Sequence, residues 1–401
     1  LVLQADDGEA LKALPVSFVR ETVCQELCMR EFMTGAEAIA RGAIHAGCDF
    51  FAGYPITPAT PILLHMVREL PKVGGVAIQG EDEIASIGFC ISAAMTGARA
   101  MTATSGPGIS LYSENIGLAI MGEVPLVIVD CQRMGPATGG ATTTAQGDIQ
   151  FLRWGTSGGY PLIVLAPTCV QDCYSLTMQA FDLAERFRVP VLLATDKETV
   201  LASATVETAS LTKLPVRERK SAPKDSDFVP YRVEALDEIP TFSPFGGEHI
   251  VRFTTSSHDE CGYMSKDSIA VDRLNRHLAA KIDSHVDEIA QLDLDPQKGS
   301  DTLLISYGIT ARAAKEAVLA WREQGGEISS ATVISLWPVP EKALLEAMAG
   351  MKRILVAELN LGQYRREIER LARDDQEVVG IHRVDGELIT PAQILERGGV
   401  R

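Results

Sequence analysis

Four groups of residues in this chain have the types and spacing for chemistry. The first is Glu81-Asp82-Glu83, three acidic residues set ahead of an Ala-rich apolar run. Carboxylates at that position stabilise the positive end of a helix. One of them, Glu83, would also point into any crevice there, against a cofactor ring nitrogen. The second group is Ser105-Gly106-Pro107-Gly108, between an expected strand and an expected helix. Its glycines allow close backbone approach, and a helix N-terminus attracts anions. The spacings G-x-x-x-x-G-K-[ST] and G-x-G-x-x-G are missing, so a tight interface turn stands beside a phosphate cradle.

The third group is Arg133 with the threonines at 138, 142, 143 and 144. No other Lys or Arg lies between Arg99 and Arg153. A solvated loop arginine is one reading; a planar fork gripping a carboxylate is the other. The fourth is Gly53-Tyr54-Pro55-Ile56-Thr57-Pro58-Ala59-Thr60-Pro61. Three prolines make a rigid strand-to-helix turn, and Pro58 or Pro61 suits a first helical turn. The turn is a connector, or a substrate wall displaying the hydroxyls of Tyr54 and Thr57.

The elements that must position these groups follow from periodicity. Thr34-Gly35-Ala36-Glu37 matches a capping box for a helix over 35–46. Short apolar runs at 48–53, 75–79, 99–103, 124–130, 161–166 and 189–195 read as strands. Helices are expected at 83–96, 109–121 and 168–187. Regular alternation of this kind gives an α/β fold with a doubly wound parallel sheet, whose ligands sit beyond the carboxyl ends of the strands. A second α/β unit starts near Asp301, with strands at 302–306, 330–336, 353–358 and 377–381. The division expected is a leader at 1–33, a first domain at 34–201, a linker and small helical segment at 202–300, and a second domain at 301–401. The polar cluster Ser257-His258-Asp259-Glu260 has no assigned role.

Composition narrows the classes. The chain has 401 residues, 46% of them hydrophobic, with mean hydropathy +0.08, and this suits two globular domains. A formal net charge of −16 argues against nucleic acid and against an anionic membrane surface. No apolar run approaches the ~18 residues of a membrane span. Eight cysteines occur without any C-x-x-C spacing, so no metal or iron–sulfur ligation is expected from this chain. A reducing, cytoplasmic setting is expected, and 1–33 lacks a signal-peptide pattern.

Gly-Tyr-Pro-Ile-Thr-Pro (53–58), Glu-Asp-Glu-Ile-Ala-Ser (81–86), Met-Thr-Ala-Thr-Ser-Gly-Pro-Gly (101–108) and Gln-Gly-Asp (146–148) occur in that order. In these motifs the chain resembles the α subunit of 2-oxoacid:ferredoxin oxidoreductases, above all the 2-oxoglutarate type, from about residue 32 onward. Ser-Tyr-Gly-Ile-Thr (306–310) and Val-Ala-Glu-Leu-Asn-Leu-Gly-Gln (356–363) resemble the family's transketolase C-terminal-like domain. The first domain is then the thiamine-diphosphate pyrimidine-type domain. The resemblance implies decarboxylation of a 2-oxoacid with thiamine diphosphate, electrons passing to ferredoxin and the acyl group to coenzyme A. It implies that Glu83, with Glu81 in reserve, hydrogen-bonds the aminopyrimidine ring, beside Tyr54 and Pro55 on the cofactor side. It places Thr57 and Arg133 on the 1-carboxylate and 2-oxo group, and Thr142 near the substrate side chain.

The departures from the family pattern are informative. A diphosphate-bound Mg²⁺ needs fixed oxygen ligands, which these enzymes supply from Gly-Asp-Gly and a following Asn. Here Gly147-Asp148 is followed by Ile149, and the asparagines are Asn115, Asn275 and Asn360. The expected remedy is a β subunit holding the diphosphate, Mg²⁺ and a [4Fe-4S] cluster in an (αβ)2 hetero-oligomer. A γ domain concerned with coenzyme A is not recognisable, and 1–33 is too short for one. The alternatives are a pyruvate or branched-chain homologue, a non-redox thiamine decarboxylase or synthase, and a catalytically silent scaffold.

Overall fold

The computed structural model describes residues 30–208, 211 and 215–399. Most of the expected leader, 1–29, lies outside these residues. Its last part is strand β1 (Arg30–Thr34). The first unit continues through α1 (Gly35–His45), β2 (Phe50–Gly53), α2 (Thr60–Glu69), β3 (Val76–Gln79), α3 (Glu83–Met95) and β4 (Ala100–Thr104). Next come α4 (Pro107–Leu111), α5 (Ser113–Met121), β5 (Leu126–Gln132), α6 (Ile149–Trp154) and β6 (Ile163–Leu165). It closes with α7 (Val170–Phe187), β7 (Pro190–Asp196), α8 (Lys197–Leu201) and β8 (Ser203–Glu207), and β8 pairs antiparallel with β1. A strap leads to α9 (Ser268–Asp283) and α10 (Val286–Ile289).

The second unit comprises β9 (Leu292–Asp295), β10 (Thr302–Ser306), α11 (Thr310–Glu323), β11 (Ser329–Val333) and β12 (Ser335–Trp337). It ends with α12 (Glu341–Met348), β13 (Arg353–Glu358), α13 (Arg365–Leu371), β14 (Glu377–His382) and α14 (Pro391–Arg397).

The first sheet has the order β12-β6-β7-β5-β4-β2-β3, parallel except for β12. Its central strands are buried along their whole length. Alternation along β5 sends Val127, Val129 and Cys131 to the core under α1 and α7. Leu126 and Ile128 face the opposite core, which includes Ile87, Ile116 and Ile305. Helices on both faces make the sheet doubly wound, as the sequence pattern requires. The chain leaves β2 outward to β3, then returns to β4 on the other side of β2. That reversal opens a crevice beyond the carboxyl ends of β2 and β4.

Local chemistry explains the element starts. Thr34 caps α1 by accepting from the Glu37 amide at 3.1 Å. Pro61 occupies the first turn of α2, where no amide is needed, while Pro58 lies ahead of the helix. The helix expected at 109–121 begins two residues earlier, at Pro107, and is broken at Tyr112.

The strand expected at 330–336 is two strands in two sheets. β11 pairs with β10 in the second sheet, ordered β14-β13-β10-β11-β9, whereas β12 pairs with β6 in the first. The apolar run is continuous because Leu336 and Trp337 are buried in the core that the two units share.

The stretch from 202, expected as a linker, is a strap bonded to the core. Its polar composition conceals buried partnerships. Arg219 grips both oxygens of Glu185 at 2.7 and 2.8 Å, and Arg188 donates to the carbonyls of Pro240 and Thr241. Glu123 accepts from Lys281 of α9 at 2.9 Å, both fully buried, and lies 3.1 Å from His277. His258 packs on Tyr231, and Asp259 Oδ1 accepts from the amides of Cys261 and Tyr263. The Ser257–Glu260 cluster thus builds a turn.

Candidate active site

At the head of α3, Asp82 is the cap: its Oδ1 accepts from the Ala85 amide at 2.7 Å. Asp82 and Glu81 are exposed. Glu83 is therefore not needed for capping, and its side chain turns inward, 7% exposed. Among the described residues no donor hydrogen-bonds its carboxylate. A Cβ added at Gly108 would lie 2.9 Å from Glu83 Oε1 and collide with Thr104 Oγ1. Gly108 is thus the only residue type that fits between them.

Arg133 leaves the end of β5 and is 5% exposed. Its Nη1 donates to the Thr57 carbonyl at 2.6 Å and its Nη2 to the Thr138 carbonyl at 3.3 Å. Nε has no protein acceptor. No carboxylate of the described residues forms an ion pair with this guanidinium, so it is a buried cation with a donor unspent. Gly106, at φ +41, packs 3.4–3.5 Å from the Arg133 side chain, measured from where its Cβ would be. The Ser-Gly-Pro-Gly turn is therefore a thin partition with Glu83 beyond one glycine and Arg133 beyond the other.

The remaining expected residues surround this partition less tightly. Tyr54, Pro55 and Thr57 follow β2 and are exposed, and Thr57 is tied to Arg133 through its carbonyl. Thr142 is exposed in the excursion 134–143, which closes by the bond from the Met134 amide to the Thr143 carbonyl. The excursion touches the second unit, since a Cβ at Gly386 would lie 2.9 Å from Met134 Cε.

Sequence reasoning missed two groups. One is the acid pair Asp130 and Asp148. Asp130 is fully buried within β5, two residues before its end, and neither carboxyl oxygen has a partner; Asp148 Oδ2 lacks one as well. Burial, then the neighbouring Asp148, pushes the Asp130 carboxyl well above the ordinary range. Burial raises Asp148 to about 6 against the pull of Arg133. An aspartate inside an apolar strand run was the available signal. The other is Gln146, buried with every polar group used. It donates to the Tyr307 carbonyl and accepts from Thr310 Oγ1 and the Leu359 amide, while its carbonyl accepts from Asn360 Nδ2 at 2.7 Å. Three of the sequence motifs, 146–148, 306–310 and 356–363, thus meet here and bolt the second unit to the first.

A cleft of about 920 Å³ lies elsewhere, between Asp172 and the start of α11, and neither Glu83 and Arg133 nor Asp130 and Asp148 line it.

Residues 41–272 match the family model described as pyruvate flavodoxin/ferredoxin oxidoreductase, thiamine diphosphate-binding. Residues 300–394 match pyruvate:ferredoxin oxidoreductase core domain II. The 2-oxoglutarate synthase subunit KorA of Methanocaldococcus jannaschii is 42% identical over 370 residues, covering 91% of this chain and 98% of that one. A solved 2-oxoglutarate:ferredoxin oxidoreductase from Magnetococcus marinus, with 2-oxoglutarate, coenzyme A and succinyl-CoA bound, superposes with a TM-score of 0.87 at 30% identity. The match covers 92% of this chain and 64% of that one, so this chain spans less than two thirds of it. A split-gene transketolase, described as an inactive β4 tetramer, shares the fold at a TM-score of 0.52 and 13% identity, over 92% of this chain and 97% of that one.

Proposed function

Because the chain belongs to the pyruvate flavodoxin/ferredoxin oxidoreductase family, we propose that it is the α subunit of a 2-oxoglutarate:ferredoxin oxidoreductase. The observation that carries this reading is the partition at 105–108. It sets an unpaired buried carboxylate, Glu83, beside an unpaired buried cation, Arg133, at the switch point of the sheet.

The residues fit a thiamine pyrimidine. Glu83 is buried, free of capping duty, and packed beside Gly108, which suits a carboxylate hydrogen-bonded to a ring nitrogen. The exposed Tyr54–Pro55 turn forms the adjoining wall. Thiamine diphosphate, when bound, supplies the nucleophilic carbon and the electron sink for loss of CO2. Glu83 holds the proton at the ring nitrogen, and burial keeps that bond strong. Arg133 and the Thr57 hydroxyl orient the oxoacid's 1-carboxylate, with Nε the unspent donor. Thr142 borders the substrate side chain.

The diphosphate, Mg²⁺ and a [4Fe-4S] cluster belong, in this reading, to a β partner in an (αβ)2 assembly, with ferredoxin and coenzyme A as co-substrates in the cytoplasm. Two of the three asparagines already have other partners here. Asn360 binds Gln146, and Asn275 accepts from Tyr160. Among the described residues no helix is long and apolar enough to cross a membrane.

The test is viologen reduction dependent on 2-oxoglutarate and coenzyme A, by the chain alone and with its β partner. Activity confined to the complex is expected. Full activity of the isolated chain overturns the divided site, and a preference for pyruvate or branched-chain oxoacids overturns the substrate.

A further inference from the structure

Glu83 and Thr104 come from different elements, the head of α3 and the end of β4, and meet beside Gly108. A Cβ placed on Gly108 would collide with Thr104 Oγ1 and lie 2.9 Å from Glu83 Oε1. The two oxygens therefore border the same glycine, within about 5 Å of each other. Thr104 is fully buried, and its hydroxyl has no hydrogen-bond partner among the described residues. A buried hydroxyl left unpaired costs free energy, so no structural duty accounts for it.

We propose that Thr104 is a positioning residue that acts through Glu83. Its hydroxyl donates to Oε1 through one bridging water, which leaves Oε2 turned toward the ring nitrogen of the cofactor. Two hydrogen bonds of ordinary length span the separation that Gly108 sets. The bridge fixes the plane of the carboxylate while a proton passes between Oε2 and the ring nitrogen. The proposal rests on the reading of Glu83 given above.

The neighbouring hydroxyls are engaged elsewhere or belong to the turn. The Gly108 amide donates to the Ser105 carbonyl at 2.8 Å, which closes the turn between Thr104 and α4. Thr102 lies two residues before Thr104 and faces the same side of β4. Its Oγ1 is 2.7 Å from the Tyr112 hydroxyl, and both groups are buried. Ser86 of α3 donates to the Asp82 carbonyl at 2.7 Å. Ser105 Oγ is unpartnered as well and is part of the turn itself. The competing acceptor is Asp130, the register neighbour of Thr104 on β5, whose carboxyl oxygens are unpartnered. Thr104 is the unpartnered hydroxyl that borders Gly108 together with Glu83.

Two substitutions separate positioning from packing. Thr104→Val keeps the branched shape and removes an unpartnered hydroxyl, so packing alone predicts equal or greater stability and unchanged turnover. Thr104→Ser keeps the hydroxyl and loses a buried methyl, so packing alone makes it the more harmful change. Positioning through the hydroxyl predicts the reverse order in turnover. One hydrogen bond to a carboxylate changes a rate by about tenfold.

The experiment measures kcat and KM for 2-oxoglutarate, and thermal unfolding, in the complex with the β partner. Thr104→Val should lower kcat about tenfold, with KM within about twofold and no loss of thermal stability. Thr104→Ser should keep kcat within about twofold. A second readout is the circular-dichroism band of the aminopyrimidine ring of bound thiamine diphosphate, which Thr104→Val should weaken and Thr104→Ser should keep. Turnover or a band unchanged by Thr104→Val, or turnover lost alike in both variants, overturns the proposal. If the complex turns over no oxoacid, the reading of function fails, and Thr104 is judged separately by infrared spectroscopy of the full chain. The carboxylate bands lost in Glu83→Gln should shift in Thr104→Val. Bands that stay in place, or a shift confined to those lost in Asp130→Asn, overturn it.

Discussion

The Nη1 of Arg133 donates to the Thr57 carbonyl across 2.6 Å, joining the loop after β5 to the turn after β2. These loops are 76 residues apart in the chain, and the bond fixes the guanidinium plane with Nε left over. A lysine lacks the fork needed to satisfy Thr57, Thr138 and a substrate together. Arg133→Lys should therefore lower kcat/KM for the oxoacid by about 30-fold or more, mostly through KM, because a charge-assisted bond is worth about 2 kcal/mol. Steady-state kinetics of the complex checks this, and an unchanged KM removes Arg133 from the substrate.

Glu83 and Glu81 differ in burial, and the difference predicts opposite results. Glu83→Gln should leave assembly with the β partner intact and reduce turnover by roughly 10²–10⁴, the range for a lost acid–base group. Glu81→Gln changes an exposed side chain and should leave turnover within about twofold. Reversal of the two results would transfer the role to Glu81.

Gln146 predicts a stability effect rather than a kinetic one. Gln146→Ala leaves the Tyr307 carbonyl, Thr310 and the Leu359 amide without their partner at the junction of the two units. Each orphaned buried group costs about 1–3 kcal/mol, so the variant should lose at least about 2 kcal/mol. Urea unfolding followed by far-UV circular dichroism measures it, and protease cleavage near 300 should quicken.

The Glu123–Lys281 pair gives a pH dependence. Burial by itself would raise the Glu123 carboxyl, but Lys281 and His277 hold it well below the ordinary range. A folded-state value below the unfolded one stabilises at pH values above the unfolded value, and that contribution is lost as pH falls through the folded one. Helix α9 should thus detach from Glu123 under strong acid. Lys281→Met leaves Glu123 buried without its main counter-charge and should cost about 3–5 kcal/mol at pH 7. It should also shrink the acid limb. Thermal unfolding between pH 3 and 8 reads both, and parallel curves for the two proteins would refute the coupling.

The sequence alone carried the alternation of strands and helices, because hydrophobic period is a local property. It also carried the four motifs, since glycine, proline and charge spacing is visible one residue at a time. From these came the doubly wound sheet and the naming of Glu83, Thr57 and Arg133. What the sequence left open was every question about partners in space. Asp82 and Glu83 are adjacent acids, and only the helix start shows that one caps and the other turns inward. The run 330–336 reads as one strand because apolar burial looks alike in either sheet; hydrogen bonding to β6 and β10 divides it. The polar strap reads as a linker until Glu185 and Glu123 supply its counter-charges. Asp130 looks like a strand end until the fold removes every donor from its reach and sets Asp148 beside it. Apart from the local Asp82 cap, each of these depends on residues distant in the chain, and burial sets the cost of leaving a charge or hydrogen-bonding group unpaired, so only the tertiary structure could decide them.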